Sequence, residues 1–406
     1  FGGFSPQLGD GRALLIGEVI DRTGARRDIQ LKGSGPTPFS RGGDGKAVIG
    51  PVLREYIIGE AMHALGIPTT RALAAVTTGE TVYRDGPKPG AVLTRVAASH
   101  LRIGTFQFFA ARGETDKLRR LADYAIAGPA NDLTGTEDRY LKLFARVVER
   151  QASLVAKWIL VGFVHGVMNT DNTTISGETI DYGPCAFMDA YDPNTVFSSI
   201  DHHGRYAYGR QPQIAQWNLA RLAETLLPLI HEDHQEAVSM ATRAVTGFPD
   251  TFRQYWLAGM RAKLGLSNQE ADDGALVEDL LGCMHRHKAD FTNTFRDLAS
   301  GSRPEASIFQ TPDFQQWFAR WQARQKRQPD AWENARQLMN SHNPAVIPRN
   351  HRVEEALAAA VEQADLSVME NLLDVLARPY ENPPEEGGYH LPAPPSTEPY
   401  RTFCGT

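Results

Sequence analysis

Two oxygen-bearing side chains, Asn172 and Asp181, flank a short turn-rich segment near the middle of the chain. Amide and carboxylate oxygens suit Mg²⁺, which is usually held by one or two protein oxygens together with phosphate and water oxygens. Asp171 precedes Asn172 and could accept a proton from a reacting hydroxyl group. A turn or helix-cap aspartate that orders the loop through backbone hydrogen bonds is an equally good interpretation of Asp171.

A second pair of charged residues lies in the first hundred positions. Lys32 ends an alternating strand, and Glu55 follows on a predicted helix, on the same face as Val52, Gly59 and Met62. A carboxylate on an apolar stripe needs a partner, and a paired Lys and Glu offset part of each other's burial cost. Such a lysine could hold nucleotide phosphates. The alternative is a solvated Lys32, with Glu55 at the edge of the stripe.

Arginines and glycine-rich turns supply further candidates for phosphate binding. Arg95 and Arg102 bracket a small polar turn, and guanidinium groups bind phosphate oxygens bidentately. The loops at residues 9–12 and 41–46 contain glycines, which let backbone N–H groups approach phosphate because no Cβ blocks them. Taken singly, each feature is at least as well explained by an exposed side chain or a surface turn.

The elements that position these residues change type along the chain. The first hundred residues contain one predicted helix, between Pro51 and Gly66, and short predicted strands at 13–19, 28–32, 71–76 and 91–97. Further on, an amphipathic pattern at 138–164 predicts a long helix. After the Asn172 loop, two short strands at 173–176 and 179–180 predict a hairpin, and helical patterns return at 217–300 and 313–378.

This order of elements predicts an α+β fold with a cleft between a β-rich and a helical lobe, and the polar motifs lie at the junction of the lobes. The predicted units are an N-terminal lobe at 1–100, a helical lobe at 101–300, a helical extension at 301–380 and a Pro-rich tail at 381–406.

Composition narrows the classes of partner. The 406 residues are 42% hydrophobic, and the formal charge of -6 gives no long-range attraction for nucleic acid or anionic lipid. The most apolar stretch, 153–168, is interrupted by Lys157 and His165 and is too short to span a bilayer.

Three cysteines are too few for a disulfide framework and fit a reducing compartment. Because residue 1 is Phe, we expect the natural start to be missing, and the oligomeric state is not encoded in any recognisable pattern.

The segment from His165 to Asn172, followed by the triplet 181–183, resembles the catalytic loop and the metal-binding motif of protein kinases. His165 would then be a structural histidine that orients the loop. Where a kinase places its catalytic aspartate, this chain has Val167, which accepts no proton. Val167 argues against a kinase-like phosphotransferase. An inactive nucleotide-binding scaffold has no chemical need for a complete metal and phosphate set, so the retained Lys32, Glu55, Asn172 and Asp181 argue against that alternative.

Three longer segments, 1–12, 31–41 and 165–172, closely resemble the selenoprotein O family of protein adenylyltransferases, and 181–184, 204–206 and 343–380 also look like that family. The resemblance implies a two-lobed pseudokinase fold of the protein-kinase type. It also implies that ATP is bound in a flipped orientation, with its α-phosphate at the hydroxyl of a Ser, Thr or Tyr in a protein substrate. The enzyme would be cytoplasmic in a bacterium and mitochondrial in a eukaryote.

The resemblance also assigns roles to individual residues. The residues implied to contact ATP are Gly9, Gly11, Arg12, Lys32, Asp44, Gly45, Arg95 and Arg102. Asn172 and Asp181 would hold Mg²⁺ or Mn²⁺, Glu55 would pair with Lys32, and Asp171 would accept the hydroxyl proton.

Family members often carry a cysteine or selenocysteine near the C-terminus, and Cys404 matches that placement. Under oxidation we expect Cys404 to bond Cys185 or Cys283, with Cys185 favoured because it follows Asp181 by four residues. The position of the usual partner lies in 197–199, which contains no cysteine, so an inert tail thiol is the alternative.

Overall fold

The sheet that carries Lys32 is antiparallel and five-stranded. In the computed structural model, which describes residues 12–40, 42–128, 130–301, 307–394, 396 and 398–403, the strands are β1 (Ala13–Ile20), β2 (Arg26–Lys32), β3 (Ala47–Val48), β4 (Arg71–Tyr83) and β5 (Pro87–Ala97). The strand order is β1-β2-β5-β3, and β4 also pairs with β5. All four strands expected from residues 1–100 are present, and within this sheet only the two-residue β3 was missed.

One helix, α1 (Ile49–Ala64), follows β3 and packs on β4 and β5. Its apolar residues Ile57, Ile58 and Met62 are almost fully buried. The helix ends where Gly66 adopts a left-handed backbone with φ of 74°, a conformation that costs glycine little. The predicted helix is confirmed, and it begins two residues before Pro51.

The rest of the described chain is mainly helical. Twelve further α-helices are described: α2 (Ile103–Ala110), α3 (Thr115–Ala127), α4 (Arg139–Leu160), α5 (Gln211–Ile230), α6 (His234–Thr246), α7 (Phe248–Lys263), α8 (Asp273–Arg286), α9 (Phe291–Ser300), α10 (Pro312–Gln325), α11 (Trp332–His342), α12 (Asn350–Gln363) and α13 (Ser367–Leu376). The long helix α4 packs on α5 and α7, while α12 and α13 pack on α1 beside the sheet. The α+β class is therefore confirmed.

A small ribbon frames the loop that carries Asn172 and Asp181. It consists of β6 (Phe163–Val164) and β7 (Ala186–Phe187), paired antiparallel. The hairpin predicted at 173–176 and 179–180 is wrong, because those segments bond elsewhere. Ile103 N–H donates to the carbonyl of Thr173, and Thr70 N–H donates to the carbonyl of Thr179.

No helix among the described residues is long and apolar enough to cross a membrane.

A charged side chain at the end of α7 is buried in an aromatic environment. Lys263 is 2% exposed, and its Nζ lies 4.3 Å from the centre of the Phe295 ring and 5.4 Å from that of Phe291. Burial lowers the pKa of Lys263 to about 7. The unfolded chain, with an ordinary lysine pKa of 10.5, therefore binds more protons than the native protein between these two values.

We predict that the stability of the protein rises with pH between about 7 and 10.5 by on the order of 1 kcal/mol per pH unit from this lysine. Lys263→Met should remove that slope, so the variant gains most over the wild type near pH 7 and progressively less towards pH 10. Urea unfolding across this pH range measures the difference. Lys117→Met, which replaces an exposed lysine, is the control and should keep the wild-type slope; a wild-type slope in Lys263→Met would contradict the assignment.

Candidate active site

Four charged side chains meet where β2, β5 and α1 face the Asp181 loop. Lys32 Nζ donates to Glu55 Oε2 at 2.9 Å and to Asp181 Oδ1 at 2.8 Å. Arg95 Nη2 donates to the same two oxygens, at 2.8 Å and 3.2 Å respectively, and Arg95 Nε donates to Glu55 Oε1. Two cations and two carboxylates thus form one cluster, in which Glu55 binds both cations.

The sheet register explains how Arg95 reaches this cluster. Along β2 the side chains of Asp28, Gln30 and Lys32 are buried at alternating positions. Gln30 pairs with Arg95 of β5, and Arg95 Nη1 donates to Gln30 Oε1 at 3.2 Å. Successive strand residues point to opposite faces, so Gln30 and Lys32 share a face, and Arg95 lies next to both.

The electrostatics of the cluster favour its charged form. Burial raises the pKa of Glu55, but the charges of Arg95 and Lys32 outweigh this effect and the net shift is downward. The pKa of Asp181 is also lowered, because Lys32 and Arg95 outweigh burial. Burial and the nearby Arg95 lower the pKa of Lys32, yet Asp181 and Glu55 raise it further, so the net shift is upward. All three groups therefore carry their charges at neutral pH.

Asp181 is held in a strained backbone conformation. Its φ of 66° lies in the left-handed region, which is uncommon for a residue other than glycine. The residue before it is fixed, because the carbonyl of Ile180 bonds His165 Nε2 at 2.9 Å. Such strain persists only where the surroundings determine the conformation, and it is concentrated at functional sites.

His165 orders the loop from within the core. It is fully buried, its Nε2 donates to the Ile180 carbonyl, and its Nδ1 accepts from Val167 N–H at 3.4 Å. Burial lowers the pKa of His165, so the ring is neutral. The interpretation of His165 as a hydrogen-bonded structural histidine is confirmed.

Hydrogen bonds to the loop fix the side chain and the backbone of Asn172. Its Nδ2 donates to the carbonyl of Val167 at 3.1 Å, and its backbone N–H is capped by Asn169 Oδ1 at 2.9 Å. The amide nitrogen is therefore already used, and Oδ1 remains as the potential ligand atom. Together with the charged Asp181 carboxylate, this donor set fits a hard divalent cation.

Asp171 packs closely against the first turn of α2. Any Cβ at Gly104, the second residue of that helix, would collide with Asp171 Oδ1. Val167, at the position of a kinase's catalytic aspartate, instead packs against the apolar core. Asp171 is partly exposed in a short 3₁₀ turn at Thr170–Asn172, a position that suits a proton acceptor as well as a residue that orders the turn.

Only Arg12 of the first glycine-rich loop, residues 9–12, is among the described residues. Gly9 and Gly11 lie outside the described residues. The carbonyl of Arg12 accepts from Gly33 N–H at 2.8 Å, next to Lys32, and the charge of Arg12 contributes to the lowered pKa of Asp181. Arg12 therefore lies within electrostatic reach of the cluster.

Asp44 and Gly45 belong to a turn that is held by Arg84 and by close packing against Gly35. Both carboxylate oxygens of the exposed Asp44 accept from Arg84, each at 2.9 Å. Gly45 is left-handed, with φ of 66°, and a Cβ there would collide with the backbone of Gly35. The contacts found for Asp44 thus join it to Arg84 rather than to the Lys32 cluster.

Arg102 is buried at the residue before α2, where it forms an isolated bridge with Thr174. It precedes by two residues Gly104, which packs against Asp171, whereas Arg95 bonds the two carboxylates of the ion cluster.

Three contributors were missed from the sequence: Gln30, Gly104 and Arg84. The alternation of Asp28, Gln30 and Lys32 could have revealed Gln30, because all three must share one strand face. Gly104 and Arg84 gave no local signal, since their roles depend on contacts made only in the folded chain.

Thr402, near the end of the described residues, lies beside the loop that follows Asp181. Thr402 Oγ1 donates to the carbonyl of Pro184 at 2.7 Å, and Thr402 bridges Ser198 in the manner of a parallel strand. Cys185 is fully buried with a free thiol, and burial raises its pKa to about 12. Cys404 lies outside the described residues, so its pairing stays a prediction.

Comparison with known proteins shows that the chain is similar to protein nucleotidyltransferases along its whole length. A family model described as "Protein adenylyltransferase SelO" matches residues 1–377. The chain is 59% identical over 404 residues to a protein nucleotidyltransferase YdiU of Syntrophotalea carbinolica, with 100% of this chain and 82% of the relative covered. Proteins of the same name from Alkaliphilus metalliredigens and Geobacillus kaustophilus are 60% and 59% identical, with 100% of this chain and 82% and 84% of the relatives covered.

Proposed function

The chain belongs to the SelO family of protein adenylyltransferases, and on that premise we propose that it transfers AMP from ATP to Ser, Thr or Tyr hydroxyls of protein substrates. The coarser activity, protein nucleotidyl transfer, follows from family membership. The finer proposal concerns the orientation of ATP and the acceptor hydroxyl.

The burial of Arg95 beside Lys32 is the observation that carries this proposal. A Lys and Glu pair needs no second buried cation, yet Arg95 is 1% exposed and bonds both Glu55 and Asp181. Two cations deep in the site suit anionic phosphates better than a neutral adenine. This charge distribution supports a flipped ATP, with its distal phosphates inward and its α-phosphate towards the acceptor.

In the proposed reaction the hydroxyl oxygen of the substrate forms a bond to the α-phosphorus of ATP, the bond from that phosphorus to the pyrophosphate oxygen breaks, and pyrophosphate leaves. Asp171 accepts the hydroxyl proton, while Lys32 and Arg95 offset negative charge on the phosphates. Asn172 and Asp181 would hold Mg²⁺ or Mn²⁺, which neutralises phosphate charge when bound. Arg12 and Arg102 would also contact ATP.

The two-lobed arrangement of the protein-kinase type is part of the same proposal. It is supported by the sheet and α1 preceding the helical region, with the charged cluster formed where β2, β5 and α1 meet the Asp181 loop. The four units predicted from the sequence, with boundaries near 100, 300 and 380, remain our proposed division. Because the three relatives are bacterial, we propose the cytoplasm as the compartment.

We predict that label from α-labelled ATP, but not from γ-labelled ATP, enters a protein acceptor in the presence of Mg²⁺ or Mn²⁺. A kinase-like phosphotransferase would give the reverse, and an inactive scaffold would incorporate neither label. Lys32→Ala and Asp181→Ala should each abolish transfer, because each removes a charge that orders the phosphates or the cation. Lys117→Ala, an exposed lysine of α3, is the control and should retain full transfer.

We also predict that Asp171→Ala slows transfer on the order of 10²-fold, as expected for loss of a general base, while ATP binding is largely kept. Gly104→Ala keeps the carboxylate but places a methyl group where Asp171 Oδ1 lies, so it should slow transfer as well. Gly274→Ala is the matched control, since Gly274 is also the second residue of a helix and has room for a Cβ. Unchanged rates in both Asp171→Ala and Gly104→Ala would leave Asp171 with a structural role only.

A further inference from the structure

A cluster of potential metal ligands lies between the end of α8 and the start of α10. Cys283 lies in the last turn of α8, His287 is the residue that follows this helix, and Asp313 is the second residue of α10. Their ligand atoms all lie within 4.8 Å of one another. The cluster combines a buried thiol, an exposed imidazole and a half-buried carboxylate.

The hydrogen bonds of the cluster converge on one carboxylate. His287 Nε2 lies 2.9 Å from Asp313 Oδ1 and 3.1 Å from Oδ2, and the Cys283 sulfur lies within 4.8 Å of an Asp313 oxygen. Arg286 Nη2 and Nε donate to Asp313 Oδ2 at 2.8 Å and 3.2 Å. A thiol and an imidazole therefore both lie against Asp313, while Arg286 is confined to one of its oxygens.

We propose that Cys283, His287 and Asp313 bind Zn²⁺, with water as the fourth ligand. Thiolate, imidazole and carboxylate are the ligand types that zinc selects, at about 2.0–2.3 Å from the metal. In a tetrahedral site with those bond lengths the ligand atoms are roughly 3.5 Å apart. His287 Nε2 and Asp313 Oδ1, now 2.9 Å apart, must separate slightly, and any pair near the 4.8 Å limit must approach by roughly 1 Å.

The proton balance of binding is simple. The Cys283 thiol releases its proton to solvent and the thiolate sulfur bonds the metal. His287 Nε2, which donates to the Asp313 carboxylate before binding, loses its proton to solvent and bonds the metal, while Nδ1 carries the proton of the neutral imidazole, taken from solvent if it is not already there. Asp313 contributes Oδ1, and Arg286 retains its bonds to Oδ2.

The location indicates that such a zinc would be structural. Helices α8 and α10 already pack together through the apolar cluster that contains Leu280, Phe314 and Trp317, and Trp317 Nε1 donates to the carbonyl of Leu276 at 2.8 Å. A metal joining the end of α8 to the start of α10 would fasten two helices that are in contact, at a place distinct from the Lys32 cluster. It should therefore raise the unfolding temperature without being required for AMP transfer.

The test is a titration of the full-length, chelator-treated chain with Co²⁺, followed by displacement with Zn²⁺. We expect one equivalent of Co²⁺ to give a sulfur-to-cobalt charge-transfer band, which Zn²⁺ abolishes. Cys283→Ser should lose the band, and His287→Gln should weaken Co²⁺ binding at least 10-fold. His285→Gln, which alters a histidine on the same helix that instead faces Asp192, should bind as the wild type does.

The sulfur-to-cobalt band also distinguishes Co²⁺ bound at Cys283 from Co²⁺ bound elsewhere in the chain. A cation held by Asn172 and Asp181 would give no sulfur band, and Cys404→Ser should leave the band intact. His287 is exposed, so His287→Gln is expected to fold even if Cys283→Ser does not, and equilibrium dialysis with Zn²⁺ can then measure the loss directly. Absence of the band in the wild type, its survival in Cys283→Ser, or wild-type zinc binding by His287→Gln would each overturn the proposal.

Discussion

Glu55 is the residue on which the arrangement of the site depends. It is 4% exposed, and its two oxygens bind Lys32 and Arg95, which come from neighbouring strands. Burial of a single charge is costly, and removing one member of a buried pair is strongly destabilising because it leaves the other uncompensated. The position of α1 on the sheet is therefore coupled to the position of both cations.

Asp181 extends this coupling to the helical part of the chain. Its carboxylate oxygen accepts from the same two cations, while its backbone is fixed through Ile180 and the buried His165. The ribbon of β6 and β7 encloses the segment, and Asn172 is oriented by Val167. The two cations proposed to bind phosphate and the two proposed oxygen ligands are thus held in place by contacts within the protein, and such preorganisation is a recognised source of catalytic power.

Local patterns predicted much of this arrangement. The alternation of apolar and polar side chains predicted β2 and β5, and the apolar spacing before Gly66 predicted α1. The position of the Glu55 carboxylate on an apolar stripe indicated that this residue needs a partner. What could not be predicted depends on long-range contacts. Arg95 and Asp181 are 86 residues apart, and no local feature tells that they share a hydrogen bond. Long-range contacts also explain why Asp44 pairs with Arg84 and why no hairpin forms after Asn172. In both cases the polar groups form hydrogen bonds with residues outside their own segment.

The central claim, that Glu55 and Arg95 act as one buried unit, is tested most directly by a double-mutant cycle on the free energy of unfolding. Glu55→Gln and Arg95→Met should each cost about 3–5 kcal/mol, since each leaves a buried charge without its main partner. The double variant should cost less than the sum by at least about 1.5 kcal/mol, because the second substitution removes the charge that the first left uncompensated. Additive costs, within about 0.5 kcal/mol, would contradict the account.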